Sequence, residues 1–286
     1  MRGAAIVAGF ALRESLRRRV FIVVALLTVG FLALYGLGTW QIAKDADQIG
    51  GVDSGSGVET RTLAGATLLG LSMFATLFLG AILAVFLTLN AVRGDAERGL
   101  LQPLLVRPLP RATFLLGRFA AAASVCAAYV IVVFLASAVL TEVFVDWWPD
   151  RVVVPALELA AAIAVLCVLA LAGSVVLSST ANGIAIFMLF GAGLTAGLLG
   201  QIGEALSSDT LERVSKIASW ALPFEALYQT ALQSITADTF GFTRLAIDLG
   251  PFGGAQTFGA ALAPFALVYV AVVGAAALWA FRRRDL

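Results

Sequence analysis

The sequence predicts an all-α polytopic membrane protein with six transmembrane helices, an N-terminal interfacial helix and amphipathic helices in its last extracytoplasmic segment. Of its 286 residues, 60% are hydrophobic and 13% are charged, and the mean hydropathy is +0.97. A soluble domain carries about 25% charged residues. A helix needs about 20 mainly apolar residues to cross about 30 Å of hydrocarbon, and six runs reach that length. These predicted spans are 20–40, 63–91, 114–145, 155–178, 183–202 and 261–281.

The residues before the first span, 1–19, have the pattern of a helix lying at the membrane surface. Leu12, Leu16 and Val20 are spaced four residues apart, so they share one helical face, while Arg17 points elsewhere. A plain basic flank before a span explains the same residues equally well, and both interpretations stay open.

The distribution of basic residues predicts the orientation of the chain. Thirteen of the 19 Lys and Arg residues fall before the first span, around the second connection and after the last span, whereas 14 of the 18 acidic residues fall on the opposite side. Basic flanks are retained in the cytoplasm. Both termini are therefore expected to be cytoplasmic. The expected location is a prokaryotic plasma (inner) membrane, with membrane lipid around the chain.

The segment 203–260 is much longer than a connector between two spans needs to be. It contains Leu227, Ala231 and Ile235 at helical spacing. We expect short amphipathic helices here that form an extracytoplasmic cap over the outer mouth of the bundle.

Several kinds of chemistry are excluded by composition. The chain has no His, so it lacks the usual general base and the commonest metal ligand. Cys126 and Cys167 both lie inside apolar runs, where a thiol behaves as a small hydrophobic group. No catalytic residue and no metal site are predicted, and the near-neutral charge gives no indication of a nucleic-acid partner.

The most informative segment is the connection 93–113 between the second and third spans. Four leucines form a short apolar patch outside the bilayer, and three prolines limit any helix there to one or two turns. A patch of this kind suits a groove on a partner protein, although a solvated stop-transfer loop is the alternative. The residues are Leu100, Leu101, Leu104 and Leu105, with Pro103, Pro108 and Pro110.

This connection resembles the type-2 permease family of ATP-binding-cassette transporters, in which an acidic residue, a glycine, a leucine pair, a proline with a basic residue, and Gly-Lys lead into the third span. Leu100 stands where a threonine is usual, and Arg118 replaces the commoner lysine. The similarity extends to Glu14 and to 222–228, and it looks closest to nitrous-oxide-reductase maturation and multidrug permeases. The matching positions are Glu97, Gly99, Leu104, Leu105, Pro108, Arg111, Gly117 and Arg118.

The resemblance implies that 1–286 is one permease domain that pairs with a second copy of itself and with a dimer of cytoplasmic ATPase subunits. The chain has no phosphate-binding loop, so ATP and Mg would be bound by the partner ATPase, and no cofactor by this chain. The expected ATPase-coupling residues are Glu97, Arg98, Gly99, Leu100, Leu101, Leu104, Leu105, Arg107, Pro108 and Arg111. The interfacial helix would contribute Leu12, Glu14, Leu16 and Arg17.

The resemblance also implies an exporter of an amphipathic or lipid-like substrate, whose binding residues the sequence does not identify. The alternative is an ATP-independent secondary transporter or channel, which normally needs an ionisable group near the bilayer midplane. No such group is evident in the six spans. Glu142 and Glu158 occur near span ends, and both are expected in the headgroup region.

The fifth span contains a pair of small residues that predicts close helix packing. Gly193 and Gly197 are four residues apart, the spacing at which two membrane helices can approach closely. The pair could form the contact with a second permease copy. Packing against another helix of the same chain is the equally supported alternative.

Overall fold

A computed structural model of the chain describes residues 19–49, 60–89, 110–237, 259 and 261–283. Within these residues the structure is entirely helical, which confirms the predicted fold class. The helices, numbered in chain order, are α1 Arg19–Ile49, α2 Thr60–Thr88, α3 Arg111–Val145, α4 Val153–Val176, α5 Ser179–Ala205, α6 Asp209–Ala221, α7 Pro223–Ser234 and α8 Leu262–Arg282.

Six of these helices are long and apolar enough to cross a membrane. They are α1 to α5 and α8, and their candidate spans run over Phe21–Lys44, Arg61–Thr88, Arg111–Val145, Val153–Val176, Ser179–Glu204 and Leu262–Arg282. A helix satisfies every backbone N–H and C=O within the segment, which hydrocarbon demands. α3 has 35 residues and is about 52 Å long at 1.5 Å per residue, so it tilts or projects beyond the hydrocarbon.

The bundle has two distinct ends. At the first, here called the Trp147 end, α3 stops where Asp146 adopts a left-handed conformation with φ 59°. Arg61 at the start of α2 then forms an exposed ion pair with Asp146 at 2.9 Å. At the other, the Phe281 end, α3 begins beside the end of α8, and the rings of Phe114 and Phe281 stack 6.3 Å apart.

The core lies along α2 and α4. Within their most apolar stretches, 67% of α2 and 61% of α4 is buried, against 11% of α1 and 17% of α8. Gly80 makes close packing possible, because a Cβ there would meet Val130 Cγ1 at 2.7 Å and Ile163 Cδ1 at 2.9 Å. α2 and α4 are thus enclosed by protein, while α1 and α8 lie at the periphery.

The turn between α4 and α5 is fixed by one buried side chain. Asn182 is 1% exposed, and its Nδ2 donates to the carbonyl oxygen of Ala170 at 2.9 Å. Its carboxamide lies directly on Gly173, where any Cβ would collide with Oδ1. This contact fixes the start of α5 against the last turns of α4.

Candidate functional site

α6 and α7 form a helical hairpin that enters the bundle from the Trp147 end. α6 begins with Asp209 and Glu212 in its first turn, where the positive end of the helix dipole stabilises carboxylates. It ends at Ala221, because the next residue, Leu222, precedes a proline and is disfavoured in helical conformation. Pro223 then starts α7 at its first turn, where proline is well tolerated. The chain therefore reverses direction within one residue.

Contacts with neighbouring helices give the depth of the hairpin. The ring of Phe224 stacks on Phe190 of α5 at 5.6 Å, and Phe190 in turn packs against Phe78 of α2 at 5.9 Å. Phe78 and Phe190 lie about 15 Å from the Phe281 ends of their helices at 1.5 Å per residue. The tip of the hairpin therefore reaches close to half the thickness of the hydrocarbon.

α6 follows α5 back into the bundle, and α7 returns to the Trp147 end. α6 approaches α5 closely at Gly203, where a Cβ would meet the backbone nitrogen of Glu212 at 2.9 Å. α7 packs against α4 and α5, with further contacts to α2 and α8. Its last turn is tied to the α3–α4 connection, because the backbone N–H of Asp150 donates to the carbonyl of Ile235 at 3.1 Å.

The structure shows where the predicted amphipathic helices of this segment lie, and the extracytoplasmic cap itself stays a prediction. Two amphipathic helices occur in the predicted segment, but they descend into the bundle. The physical reason is burial: in α7 all residues except Thr230 and Gln233 are buried, and a short helix lying across the surface would leave many of them exposed. Irregular backbone at this depth is tolerated where protein surrounds it.

A polar cluster lies near the tip of the hairpin. Glu225 is 1% exposed; its Oε2 accepts a hydrogen bond from Ser219 Oγ at 3.0 Å, and its Oε1 accepts one from Gln229 Nε2 at 2.9 Å. These bonds join α6 to α7 and satisfy both carboxyl oxygens. The cluster consists of residues from the hairpin itself, so it holds the two arms together.

Burial dominates the electrostatics of this cluster. It raises the pKa of Glu225 by disfavouring the carboxylate, and the hydrogen bonds from Gln229 and Ser219 offset only part of that effect. Burial also raises the pKa of Tyr228, and the neighbouring Glu225 carboxyl raises it further. Burial therefore shifts the protonation equilibrium of Glu225 towards the neutral carboxylic acid, which is the less costly form in low dielectric.

A second carboxyl group lies on α4 near the other end of the hairpin. Glu158 is five residues after Val153 and packs beside Ser234. Its Oε2 is buried and has no hydrogen-bond partner among the described residues. Glu142, by contrast, is exposed one turn before the end of α3. Only Glu158 belongs to the hairpin's surroundings.

The two glycines of α5 face this hairpin. A Cβ on Gly193 would collide with the ring of Phe224, and one on Gly197 would collide with the Glu225 carboxyl. The space that small residues create in α5 is thus filled by α7 of the same chain. The structure favours the intrachain alternative over a contact with a second copy at these positions.

A comparison with models of known protein families shows which family this chain belongs to. The model for "ABC-2 family transporter protein" matches residues 5–286. The chain belongs to this family. A search of curated proteins found no match. The ABC-2 family consists of membrane components of ATP-binding-cassette transporters, so the chain is an integral membrane protein of a transport system and is not itself the catalytic component.

Most of the residues that the family resemblance assigns to ATPase coupling lie outside the described residues. These are Glu97, Arg98, Gly99, Leu100, Leu101, Leu104, Leu105, Arg107 and Pro108, together with Leu12, Glu14, Leu16 and Arg17 of the predicted interfacial helix. Their roles stay predictions.

Arg111 is the one expected coupling residue that the described residues include. Its Nη1 donates to the backbone carbonyls of Phe281 and Arg282, both at 3.0 Å, and its guanidinium lies 5.6 Å from the Phe281 ring centroid. Arg111 therefore fixes the start of α3, where the connection 93–113 ends, to the last turn of α8. A movement of that connection would be transmitted to both helices.

The sequence contains a partial signal for the hairpin. The family resemblance covers 222–228, and helical spacing at Leu227 and Ala231 predicts a helix, but neither pattern indicates that Glu225 is a buried carboxyl deep in the bundle. A proline followed by an acidic residue between two short amphipathic stretches was the available indication. Among the described residues no three Cys, Asp or Glu side chains form a group that could hold a metal ion.

Proposed function

We propose that this chain is the permease subunit of an ATP-binding-cassette exporter that moves an amphipathic or lipid-like substrate out of a prokaryotic cell. The family match over residues 5–286 carries the proposal. Two copies of the chain form the pathway, and a dimer of separate ATPase subunits binds ATP and Mg and drives the transport cycle.

The arrangement of charge supports an orientation with both termini in the cytoplasm. Arg111, Arg118, Arg282 and Arg283 lie together at the Phe281 end, and the positive-inside rule places such a cluster on the cytoplasmic side. The hairpin then enters from the outside. It is positioned to act as the outer gate of the pathway, because it blocks the bundle to about the bilayer midplane.

Coupling would run through the connection 93–113. The leucine patch docks on the ATPase, and ATP-driven closure of the ATPase pair pulls the connection, which ends at Arg111. Through the bonds of Arg111 to Phe281 and Arg282, α3 and α8 move as a unit. A rigid unit of this kind is what a hinge or shear motion requires.

One observation favours the alternative of an ATP-independent transporter. Glu225 is an ionisable group deep in the bundle, which the sequence alone did not reveal and which secondary transporters commonly use. Both of its oxygens are, however, bonded within the hairpin. This arrangement suits a group that stabilises the gate better than one that carries a proton through a pathway.

The test is a mild-detergent purification of the chain from its native membrane, with partners identified by mass spectrometry. We expect an ATPase with a phosphate-binding loop at equal stoichiometry. Replacing both Leu104 and Leu105 with Asp should abolish its recovery, because two charges cannot enter an apolar groove without large desolvation cost. The matched control, Leu104→Met with Leu105→Met, keeps the patch apolar and should retain the ATPase.

Reconstitution separates the two candidate functions. In liposomes, the permease with its ATPase should move fluorescent amphipathic substrates only when ATP is present. If the chain alone moves ions or substrate down a proton gradient, and Glu225→Gln stops that movement, the secondary-transporter alternative is correct and the ATP-driven proposal is wrong.

A further inference from the structure

A cavity of about 340 Å³ lies between three helices at the Phe281 end and takes no part in the function proposed above. α3 contributes Ala112 to Phe119 and α4 contributes Val168 and Leu171, while α8 forms the third wall with residues 270–278. Every lining residue is apolar, and the small side of α8 at Gly274 and Ala275 leaves the groove open on that side. The cavity is therefore a groove suited to a hydrocarbon chain.

The length and position of the groove match one leaflet of a bilayer. Residues 270 and 278 are about 12 Å apart along α8 at 1.5 Å per residue. Each leaflet contributes about 15 Å of hydrocarbon. The groove begins next to Arg111 and Arg282, so its mouth lies at the headgroup level of the leaflet on that side.

The mouth of the groove is strongly basic. Arg282 continues the stripe formed by Ala271, Ala275 and Leu278, because it lies seven residues after Ala275 on the same helical face. Arg111 lies next to the lining residue Ala112 and donates hydrogen bonds to the carbonyls of Phe281 and Arg282. These bonds partly neutralise the negative charge at the C-terminal end of the α8 dipole. The described turns of α3, α4 and α8 that form the groove contain no Asp or Glu.

From this combination of an apolar groove with a two-arginine mouth, we propose that the cleft between α3, α4 and α8 is a binding site for one anionic phospholipid, with an acyl chain in the groove and its phosphate between Arg111 and Arg282. A guanidinium can hold phosphate oxygens through several N–H groups at once. The bound lipid joins α3 to α8 at the point where the connection 93–113 ends.

Charge complementarity selects a lipid over protein occupants of the groove. The N-terminal segment of this chain has apolar residues at helical spacing, but it carries five arginines and one acidic residue before Val20, so its charge would repel the basic mouth. In a symmetric pair that met through this face, a second copy of the chain would bring the same basic surface to the contact. An anionic headgroup with a hydrocarbon chain satisfies both parts of the site.

The first experiment measures lipid retention by the full chain. Purified protein is incubated with equal amounts of phosphatidylglycerol and phosphatidylcholine that have identical acyl chains, and the lipid that co-purifies is quantified by mass spectrometry. We expect about one phosphatidylglycerol per chain and a preference of about 30-fold over phosphatidylcholine, from two basic residues near the phosphate. Equal retention of the two lipids would overturn the proposal.

Variants of the groove and of its mouth separate the two parts of the site. Gly274→Leu with Ala275→Leu should abolish retention by filling the groove, and Arg111→Gln with Arg282→Gln should remove the preference for phosphatidylglycerol while leaving a weakly bound lipid. The matched control is Val272→Phe, on the exposed face of α8, which should leave both unchanged. Full phosphatidylglycerol retention after the groove is filled would contradict the proposal.

A cysteine-protection experiment keeps the proposal testable if the filled variant fails to fold. Cys126 and Cys167 are buried, so a single Ala275→Cys substitution, which adds little volume, gives a specific label with a membrane-soluble maleimide. Phosphatidylglycerol should slow the labelling of Ala275→Cys about tenfold, and phosphatidylcholine should not. Labelling of Val272→Cys should not change with either lipid. If Ala275→Cys is protected without added lipid and deletion of residues 1–18 exposes it, the occupant is the N-terminal segment and the lipid proposal is wrong.

Discussion

α1 and α7 contrast in a way that hydropathy does not anticipate. α1 is a long apolar span, yet Ile22, Leu26 and Leu34 are each about 70% exposed, and among the described helices it packs mainly against α2 and α3. α7 has only 12 residues, of which five are polar, and it is almost entirely buried. In a bilayer an apolar side chain gains nothing by leaving lipid for protein, so the polar helix occupies the interior and the apolar helix faces lipid.

The largest effect expected from this contrast follows from the close contact between α5 and α7. Gly193→Ala should lower the free energy of unfolding by about 1–3 kcal/mol, the usual cost of overpacking, because the new Cβ would overlap the fully buried ring of Phe224. The measurement is the thermal unfolding midpoint of the purified chain in detergent.

The matched control is Gly191→Ala on the same helix, where no described atom lies within 4 Å of an added Cβ. It should be neutral, or stabilising by about 0.5–1 kcal/mol because alanine favours the helix. Adding Phe224→Leu to Gly193→Ala should recover part of the loss, as expected for residues in contact. If both alanine variants unfold alike but Gly193→Ala dissociates an oligomer, the glycine faces a second copy instead.

The polar cluster of α7 gives an effect of comparable size. Glu225→Ala should destabilise the chain by about 1–3 kcal/mol because Ser219 and Gln229 then lose their shared buried partner. Glu225→Gln should cost less at low pH, since an amide resembles the neutral carboxylic acid. Thermal unfolding at pH 5 measures both variants under conditions that favour the acid.

The pH dependence of stability tests the protonation state of Glu225. Its pKa is raised in the folded protein, so the folded state binds the proton more tightly than the unfolded chain does. The contribution of Glu225 is therefore fully present below the unfolded pKa and is lost as pH rises through the folded pKa. The wild type should show a lower midpoint at pH 8 than at pH 5, and the difference should be smaller in Glu225→Gln. An undiminished difference in Glu225→Gln would assign it to another group.

Much of the fold could be predicted from the sequence because the bilayer imposes a simple length rule. A run of about 20 apolar residues is sufficient to predict a span, and all six predicted spans correspond to helices. The length rule gives no information about which helices lie at the centre. The central positions of α2 and α4 depend on contacts such as Gly80 against Val130 and Ile163, and these become visible only when the helices are placed together.

The candidate site was less predictable for the same reason. Asp, Glu and Pro in a moderately polar segment indicate an exposed loop when they are read along the chain. The position of Glu225 depends on Gly197 of α5, 28 residues earlier, which leaves room for the carboxyl, and on Ser219 and Gln229, which satisfy it. Arg111 was predicted as a coupling residue from resemblance, but its bonds to the end of α8 join positions 170 residues apart.

The smallest expected effect tests how loosely α1 is held. Tyr35 Oη and Thr141 Oγ1 are 2.6 Å apart, and Thr28 and Tyr129 form a second pair of hydroxyls at 2.6 Å. Hydrogen bonds between membrane helices contribute about 0.6 kcal/mol on average. Tyr35→Phe should therefore lower the free energy of unfolding by about that amount, and the double variant with Tyr129→Phe should lose about twice as much if the two sites are independent.

Tyr228 of α7 provides the matched control for these tyrosines. Its hydroxyl is buried without a hydrogen-bond partner among the described residues, so Tyr228→Phe removes a polar group that is already unsatisfied and should be neutral or slightly stabilising. Thermal midpoints of the three single variants, measured under one set of detergent conditions, should place Tyr228→Phe above the other two. A large loss of unfolding free energy in Tyr35→Phe would mean that α1 is fixed firmly to α3 despite its exposed face. The contrast between a lipid-facing α1 and an enclosed α7 would then be one of exposure and not of how firmly each helix is held.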